Sequence, residues 1–195
     1  MLAEESATRA VRNAERLWVV DPIDGTLNFS RGLPFYCVAI AYVEDGLVRA
    51  AAVHAPRTSE TFVASEGRGA TCNKATISAS RVGTLPEAFA VASLRFGEAK
   101  KPSSRFVTLN GTCARLRVIG SAALEISYTA MGRFDLFVHE ALSPWDIAAP
   151  SLIAREAGAQ VLSLKTGADA TWDESQVIIA NRSLARAAYE LLKRP

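Results

Sequence analysis

Cysteine is nearly absent from this chain of 195 residues; Cys37, Cys72 and Cys113 are the whole set. An odd number, with no pair at metal-ligand spacing, argues against a disulfide framework or a structural zinc centre and fits a reducing compartment. Cys37 lies inside the apolar run Tyr36 to Val43 and is expected as a buried thiol. Long apolar stretches are missing too. No run reaches the roughly 18 residues of a membrane-spanning helix. No signal-peptide pattern precedes the first motif, so a cytoplasmic protein with no membrane partner is expected. Nor is there an excess of charge of one sign: 22 Lys and Arg stand against 20 Asp and Glu, a net charge of +2. No basic stripe with interleaved aromatics occurs, which argues against a nucleic-acid partner. Arg9, Arg12 and Arg16 recur at helical spacing, the pattern of a solvated helix face. Repeats, low-complexity runs and flexible linkers are also lacking. The length, with 49% apolar residues, suffices for one domain, residues 1–195, with a real core.

What the chain does have is the segment Trp18-Val19-Val20-Asp21-Pro22-Ile23-Asp24-Gly25-Thr26. Leu17 to Val20 reads as a buried strand. Pro22 fixes its own φ and has no N–H, so the strand cannot run regularly through it. Gly25 permits a tight turn. Two carboxylates thus stand together at the mouth of a rigid strand, where a hard cation is the usual remedy for their repulsion. An Asp-Pro turn with a solvated Asp-Gly uses the same residues. Two further segments favour the site: Glu4-Glu5-Ser6 upstream, and Trp145-Asp146-Ile147-Ala148-Ala149 before a helical stretch. Asp146 also suits a helix N-cap. The acids lack the regular spacing of a calcium-binding loop.

These motifs resemble the inositol monophosphatase family of magnesium-dependent, lithium-sensitive phosphatases. Asp21 to Thr26 matches the family's Asp-Pro-Ile-Asp-Gly-Thr element. Trp145 to Ala149 matches Trp-Asp-x-Ala-Ala-Gly, with Pro150 in place of the glycine, and Glu4 to Ser6 matches Gly-Glu-Glu-Ser with Ala3 in place of the glycine. Weaker echoes are Gly67-Arg68-Gly69-Ala70 with Asn73, Gly120-Ser121-Ala122-Ala123, and Glu156-Ala157-Gly158. The resemblance implies a metal-dependent phosphomonoesterase for a small polyol, sugar or nucleotide phosphate, and a homodimer. It implies two or three Mg2+ ions, with Mn2+ also suitable, held by Glu4, Asp21, the carbonyl of Ile23, Asp24 and Asp146. Glu4, Asp21 and Thr26 would be catalytic. Asp24, Gly25, Thr26, Gly120, Ser121, Ala122, His139 and Asp146 would bind substrate. Spacing from Trp145 puts His139 where a family glutamate meets substrate hydroxyls; a one-residue slip would put Glu140 there. The family also carries further N-terminal helices and a water-activating acid ahead of Glu4. A chain without them would be expected to self-associate and to catalyse weakly, so the runner-up function is a weakly active or inactive relative with a structural or binding role.

The implied fold is α+β, the layered αβαβα sugar-phosphatase arrangement. The first half, about residues 1–85, reads as a largely antiparallel meander over Tyr36–Val43, Leu47–His54, Thr61–Ser65 and Ala70–Ser80, with Glu44-Asp45-Gly46 as a hairpin turn. The second half, about 86–195, alternates strands (Ala88–Ser93, Leu116–Ile119, Phe134–Val138, Gln160–Leu164, Val177–Ala180) with helices (Pro102–Thr112, Ser121–Met131, Asp146–Ala157, Leu184–Leu192). Apolar residues on both alternating positions of Val38–Val43 and Val48–Val53 ask for cover on both faces of the first sheet.

Overall fold

A computed structural model describes residues 1–4, 15–93 and 103–193; most of the connection between Glu4 and the first strand motif lies outside them. The first sheet follows chain order: β1 (Leu2–Ala3), β2 (Arg16–Asp24), β3 (Cys37–Glu44), β4 (Leu47–Ala55), β5 (Glu60–Ser65), β6 (Ala70–Cys72) and β7 (Ala75–Thr76). β1 is parallel to β2 and every later pair is antiparallel, the expected meander. Asp45 and Gly46 turn β3 into β4 with φ of 52° and 75°, the left-handed pair that matches strand twist. The single strand expected over Ala70–Ser80 is instead a hairpin. Asn73 and Lys74 take φ of 49° and 71°. The Asn73 side chain fixes this turn, accepting from Thr61 N at 2.9 Å and donating to Ser59 O at 2.9 Å.

The second sheet has the order β11 (Gln160–Ser163), β12 (Val177–Ala180), β10 (Leu136–His139), β8 (Phe89–Ser93), β9 (Arg115–Arg117). β8 runs parallel to β9 and β10, whereas β12 is antiparallel to β10 and β11. β9 stops before the expected Ile119 because the Ile119 and Gly120 N–H groups go to the Glu125 carboxylate, not to a neighbouring strand. Helix α1 (Thr26–Ser30) is short. α2 (Ser104–Thr112) and α5 (Arg182–Leu192) pack on one face of the second sheet, while α3 (Ala122–Ala130) and α4 (Pro144–Glu156) fill the space between the sheets. The described residues therefore stack as β-α-β-α, four layers of the αβαβα arrangement.

Burial follows this stacking. β10 puts Phe137 among the α3 and α4 side chains and Leu136 and Val138 against α5, and its neighbour β12 is apolar and buried at all four positions. The first sheet buries its inner positions, Ala39, Ala41, Val53 and Phe62, against α3 and α4. Its outer positions are open: Trp18 is 54% exposed, Val63 43% and Ile40 37%. The face expected to want cover has none among the described residues.

Candidate metal centre and substrate cleft

The centre begins with a fault in β2. Asp21 lies opposite Ala39 and Asp24 opposite Cys37, so three steps along β2 match two along β3. In a regular strand residues i and i+3 point to opposite faces. The extra residue at Pro22-Ile23 cancels that alternation and turns both carboxylates to the same side. The Asp21 carboxylate accepts from Ile23 N at 3.0 Å, which locks the bulge. Gly25 follows with φ of +90°; a Cβ there would come within 2.8 Å of the Phe35 carbonyl and 3.0 Å of Ser121 Cβ. Only glycine lets Ser121 come so near.

Asp24 is clamped by the start of α3. It accepts from Ser121 Oγ at 2.6 Å, Ala123 N at 2.8 Å and Ala122 N at 3.2 Å, and from the buried Cys37 thiol at 3.6 Å. Asp146 arrives on α4. The sequence suggested it as the N-cap, but Ser143 holds that position, Pro144 opens the helix, and the Asp146 carboxylate reaches back to accept from Ser143 N at 2.8 Å. This leaves Pro150 inside the helix rather than in its first turn. A proline there cannot donate to the carbonyl four residues back, so the Asp146 carbonyl goes without its helical bond.

Asp21, Asp24 and Asp146 each offer a carboxylate oxygen within 4.8 Å of the others. Burial, then the charges of Asp24, Asp146 and Glu4, push the Asp21 carboxyl up to about 8. Burial raises Asp24 despite its four donors. Burial also lifts Asp146 to about 6, against the Ser143 N–H. Repelling carboxyls with oxygen-only donors fit a hard divalent cation, whose charge would restore their ionised forms. Glu4 is exposed and outside this triplet. The register Leu2 to Val19 and Ala3 to Val20 brings it abreast of Asp21, and its charge acts on Asp21 and Asp146.

Next to the acids lies a cleft of about 210 Å³ lined by Asp24, Gly120, Ser121, Ala122, Glu125, His139, Ala141 and Asp146. Larger grooves exist, but the acids gather here. At the end of β10, His139 lines the cleft, with Nδ1 accepting from Ala141 N at 3.0 Å, while Glu140 pairs with Arg105 at 3.1 Å. Gly25 abuts Ser121. Thr26 is exposed as the first residue of α1, outside the cleft lining.

Sequence reasoning missed Glu125. One of its oxygens accepts from Ile119 N at 2.7 Å and Gly120 N at 3.0 Å, holding the loop that carries Gly120 and Ser121. The other is buried with no hydrogen-bond partner, and burial lifts the carboxyl to about 7. An acid in the apolar stretch Ala122 to Tyr128 was the available signal. Asn28 was missed as well: its amide donates to Phe35 O at 2.8 Å and Ile119 O at 2.9 Å, tying α1 to the same loop. Two of the weaker motif echoes prove to be each other's partners, since the Glu156 carboxylate accepts from Gly67 N at 2.8 Å and Gly69 N at 2.7 Å.

The sequence profile described as the inositol monophosphatase family matches residues 1–194. A Thermotoga maritima fructose-1,6-bisphosphatase/inositol-1-monophosphatase is 39% identical over 182 residues, covering 93% of this chain and 68% of the relative. The Nus factor SuhB of Vibrio cholerae is 38% identical, over 87% of this chain and 64% of its own length. The chain thus spans about two thirds of these relatives. Among solved structures, the inositol monophosphatase of Anabaena superposes with a TM-score of 0.90 at 28% identity, over 98% of this chain and 77% of that one. The Thermotoga maritima IMPase superposes at 0.86 and 36% identity, over 97% and 72%. This chain belongs to the inositol monophosphatase family.

Proposed function

We propose that this member of the inositol monophosphatase family is a Mg2+-dependent phosphomonoesterase acting on a small polyol, sugar or nucleotide phosphate. The observation that carries the reading is the convergence of Asp21, Asp24 and Asp146 beside a cleft built from the start of α3. Asp21, Asp24 and Asp146 would hold the metal, two or three ions of Mg2+ or Mn2+, with Glu4 and the Ile23 carbonyl completing the donor set. When bound, such ions neutralise phosphoryl charge and acidify a water. The chain's own groups do the rest. Gly25 and the first N–H groups of α1 face a phosphate, and the Thr26 hydroxyl with Glu4 orients the attacking water. Gly120, Ser121 and Ala122, small and held by Glu125, leave room for a polyol ring. His139 offers its ring to the substrate's hydroxyl groups. Asp24, fixed by four donors, keeps its oxygens aimed at the centre instead of swinging with the ligand.

The test is phosphate release from myo-inositol 1-phosphate, fructose 1,6-bisphosphate and adenosine 2′-monophosphate, with magnesium and then with lithium added. Turnover that needs magnesium, falls with lithium and is lost in Asp21→Asn supports the reading. No release from any of the three esters sinks it. A binding role is the second reading, supported by relatives bearing the name Nus factor SuhB. A homodimer and a cytoplasmic location belong to the same proposal; among the described residues no helix is long and apolar enough to cross a membrane.

A further inference from the structure

Outside the acid cluster, Arg81, Arg182 and Arg186 crowd one groove of about 640 Å³ between segment 79–81, the end of α4 and the start of α5. No carboxylate lines it. Four other arginines are ion-paired: Arg16 with Glu44, Arg49 with Glu66, Arg105 with Glu140 and Arg133 with Glu60. The three groove arginines are exposed and form no ion pair among the described residues.

Their placement is held by other residues. The Asn181 amide donates to Ser80 O at 3.0 Å and Val82 O at 2.6 Å, gripping the backbone on both sides of Arg81. Asn181 also caps α5, accepting from Leu184 N at 3.1 Å. One side chain therefore fixes Arg81 against the helix that bears the other two. Arg182 and Arg186 are one turn apart, where like charges repel. Both lie in the first half of α5, the end that disfavours cations, and the first turn holds no acid. The repulsion between these arginines and the unfavourable helix-end field are both opposed by an anion in the groove. The neighbouring groove shares Arg182 and Arg186 but also contains Asp169 and Glu190, whereas the groove beside Arg81 is lined by no acid.

We propose that this groove binds a small ligand carrying adjacent phosphate groups. Three guanidinium forks on two separate segments match several phosphate oxygens better than a single monoester. Inorganic polyphosphate and the tail of a nucleoside triphosphate share that chemistry. Calorimetric titration of the full chain with tripolyphosphate, ATP and adenosine, in magnesium at low salt, tests it. The expected result is a binding component for tripolyphosphate and ATP, absent for adenosine, that survives Asp24→Asn and weakens at least tenfold in R182Q/R186Q. It should also weaken as salt rises. The melting temperature of R182Q/R186Q should equal or exceed that of wild type; if that variant misfolds, R81Q on the exposed segment gives the same reading. The proposal is overturned if neither phosphate compound binds, if adenosine binds as well as ATP, if all binding disappears with Asp24→Asn, or if the arginine variants bind like wild type.

Discussion

Two groups of acids in this chain sit in opposite surroundings. Asp21, Asp24 and Asp146 bring carboxylate oxygens within 4.8 Å of one another, and all three carboxyls are pushed up. Glu60 is equally sequestered, 8% exposed against 2% for Asp21. Yet it is paired with Arg133 and accepts from Tyr128 Oη at 3.0 Å. Burial pushes the Glu60 carboxyl up too, but Arg133, Thr58 and Tyr128 outweigh it and hold it below its ordinary value. The comparison separates an acid that serves the fold from one that the fold tolerates. Glu60 has a cationic partner within the fold, while the triplet has neutral donors and a charge repulsion that a cation would relieve.

The largest expected effect tests the second half of that statement. Asp21→Asn should lower magnesium-dependent turnover by roughly 10³-fold, several kcal/mol of lost charge stabilisation. The same substitution should raise the metal-free melting temperature, because Asp21 has one backbone donor and three acidic neighbours. Asp24→Asn should abolish turnover and lower the melting temperature, since an amide cannot accept from all of Ser121, Ala122, Ala123 and Cys37. Kinetics alongside thermal melts in chelator check both. A metal-free Asp21→Asn chain less stable than wild type would erase the distinction between the two groups.

Glu60→Ala should reverse the pattern. It strands Arg133 and Tyr128 and should cost about 2 kcal/mol, less than a fully buried pair because the Arg133 side chain is 46% exposed. Turnover at a temperature where the variant is folded should be unchanged. Denaturant melts and initial rates would show it, and equal stability to wild type would count against a structural Glu60.

pH sharpens the contrast further. Asp21 and Asp146 have folded values of about 8 and about 6, above their ordinary 3.8. Their protonated forms are favoured by folding, so that stability is complete below about pH 4 and drains away as pH rises through about 6 and about 8. Glu60 is held below 4.5, so its contribution is present above that value and is lost as pH falls. The metal-free chain should therefore melt about 5 °C lower at pH 8.5 than at pH 5, with magnesium closing the gap. A melting temperature flat between those pH values without metal would show that the triplet is not strained by its own charge. The smallest effect expected is for Glu156→Ala, which frees the Gly67 and Gly69 N–H groups and should cost about 1 kcal/mol without touching turnover.

Legibility from sequence followed the range of the interactions. The break at Asp21-Pro22 was visible because Pro22 lacks an N–H and Gly25 has no Cβ, and both act within a few residues. The turn at Asp45-Gly46 was visible for the same reason. The hairpin at Asn73-Lys74 was not. It depends on an asparagine adopting φ of 49° while bonding Thr61 and Ser59 on another strand. The two-faced apolar pattern of the first sheet suggested cover for both faces, but the described residues cover only one. A strand's composition states what it can bury, not what is there to bury it.

By itself the sequence determined the family, through the resemblance of its ordered motifs, and also the strand-turn element bearing Asp21 and Asp24 and the order of most strands and helices, which are set by local sterics and hydrophobic period. Only the tertiary structure decided that Asp146 stands third in its helix behind Ser143. It also decided that His139 and not Glu140 enters the cleft, and that Glu125 holds the Gly120 loop. Those outcomes hang on contacts such as Ala123 N to Asp24, which joins residues 99 positions apart. The side-chain register at the end of a strand or the start of a helix is fixed by what packs against it, and no local pattern carries that information.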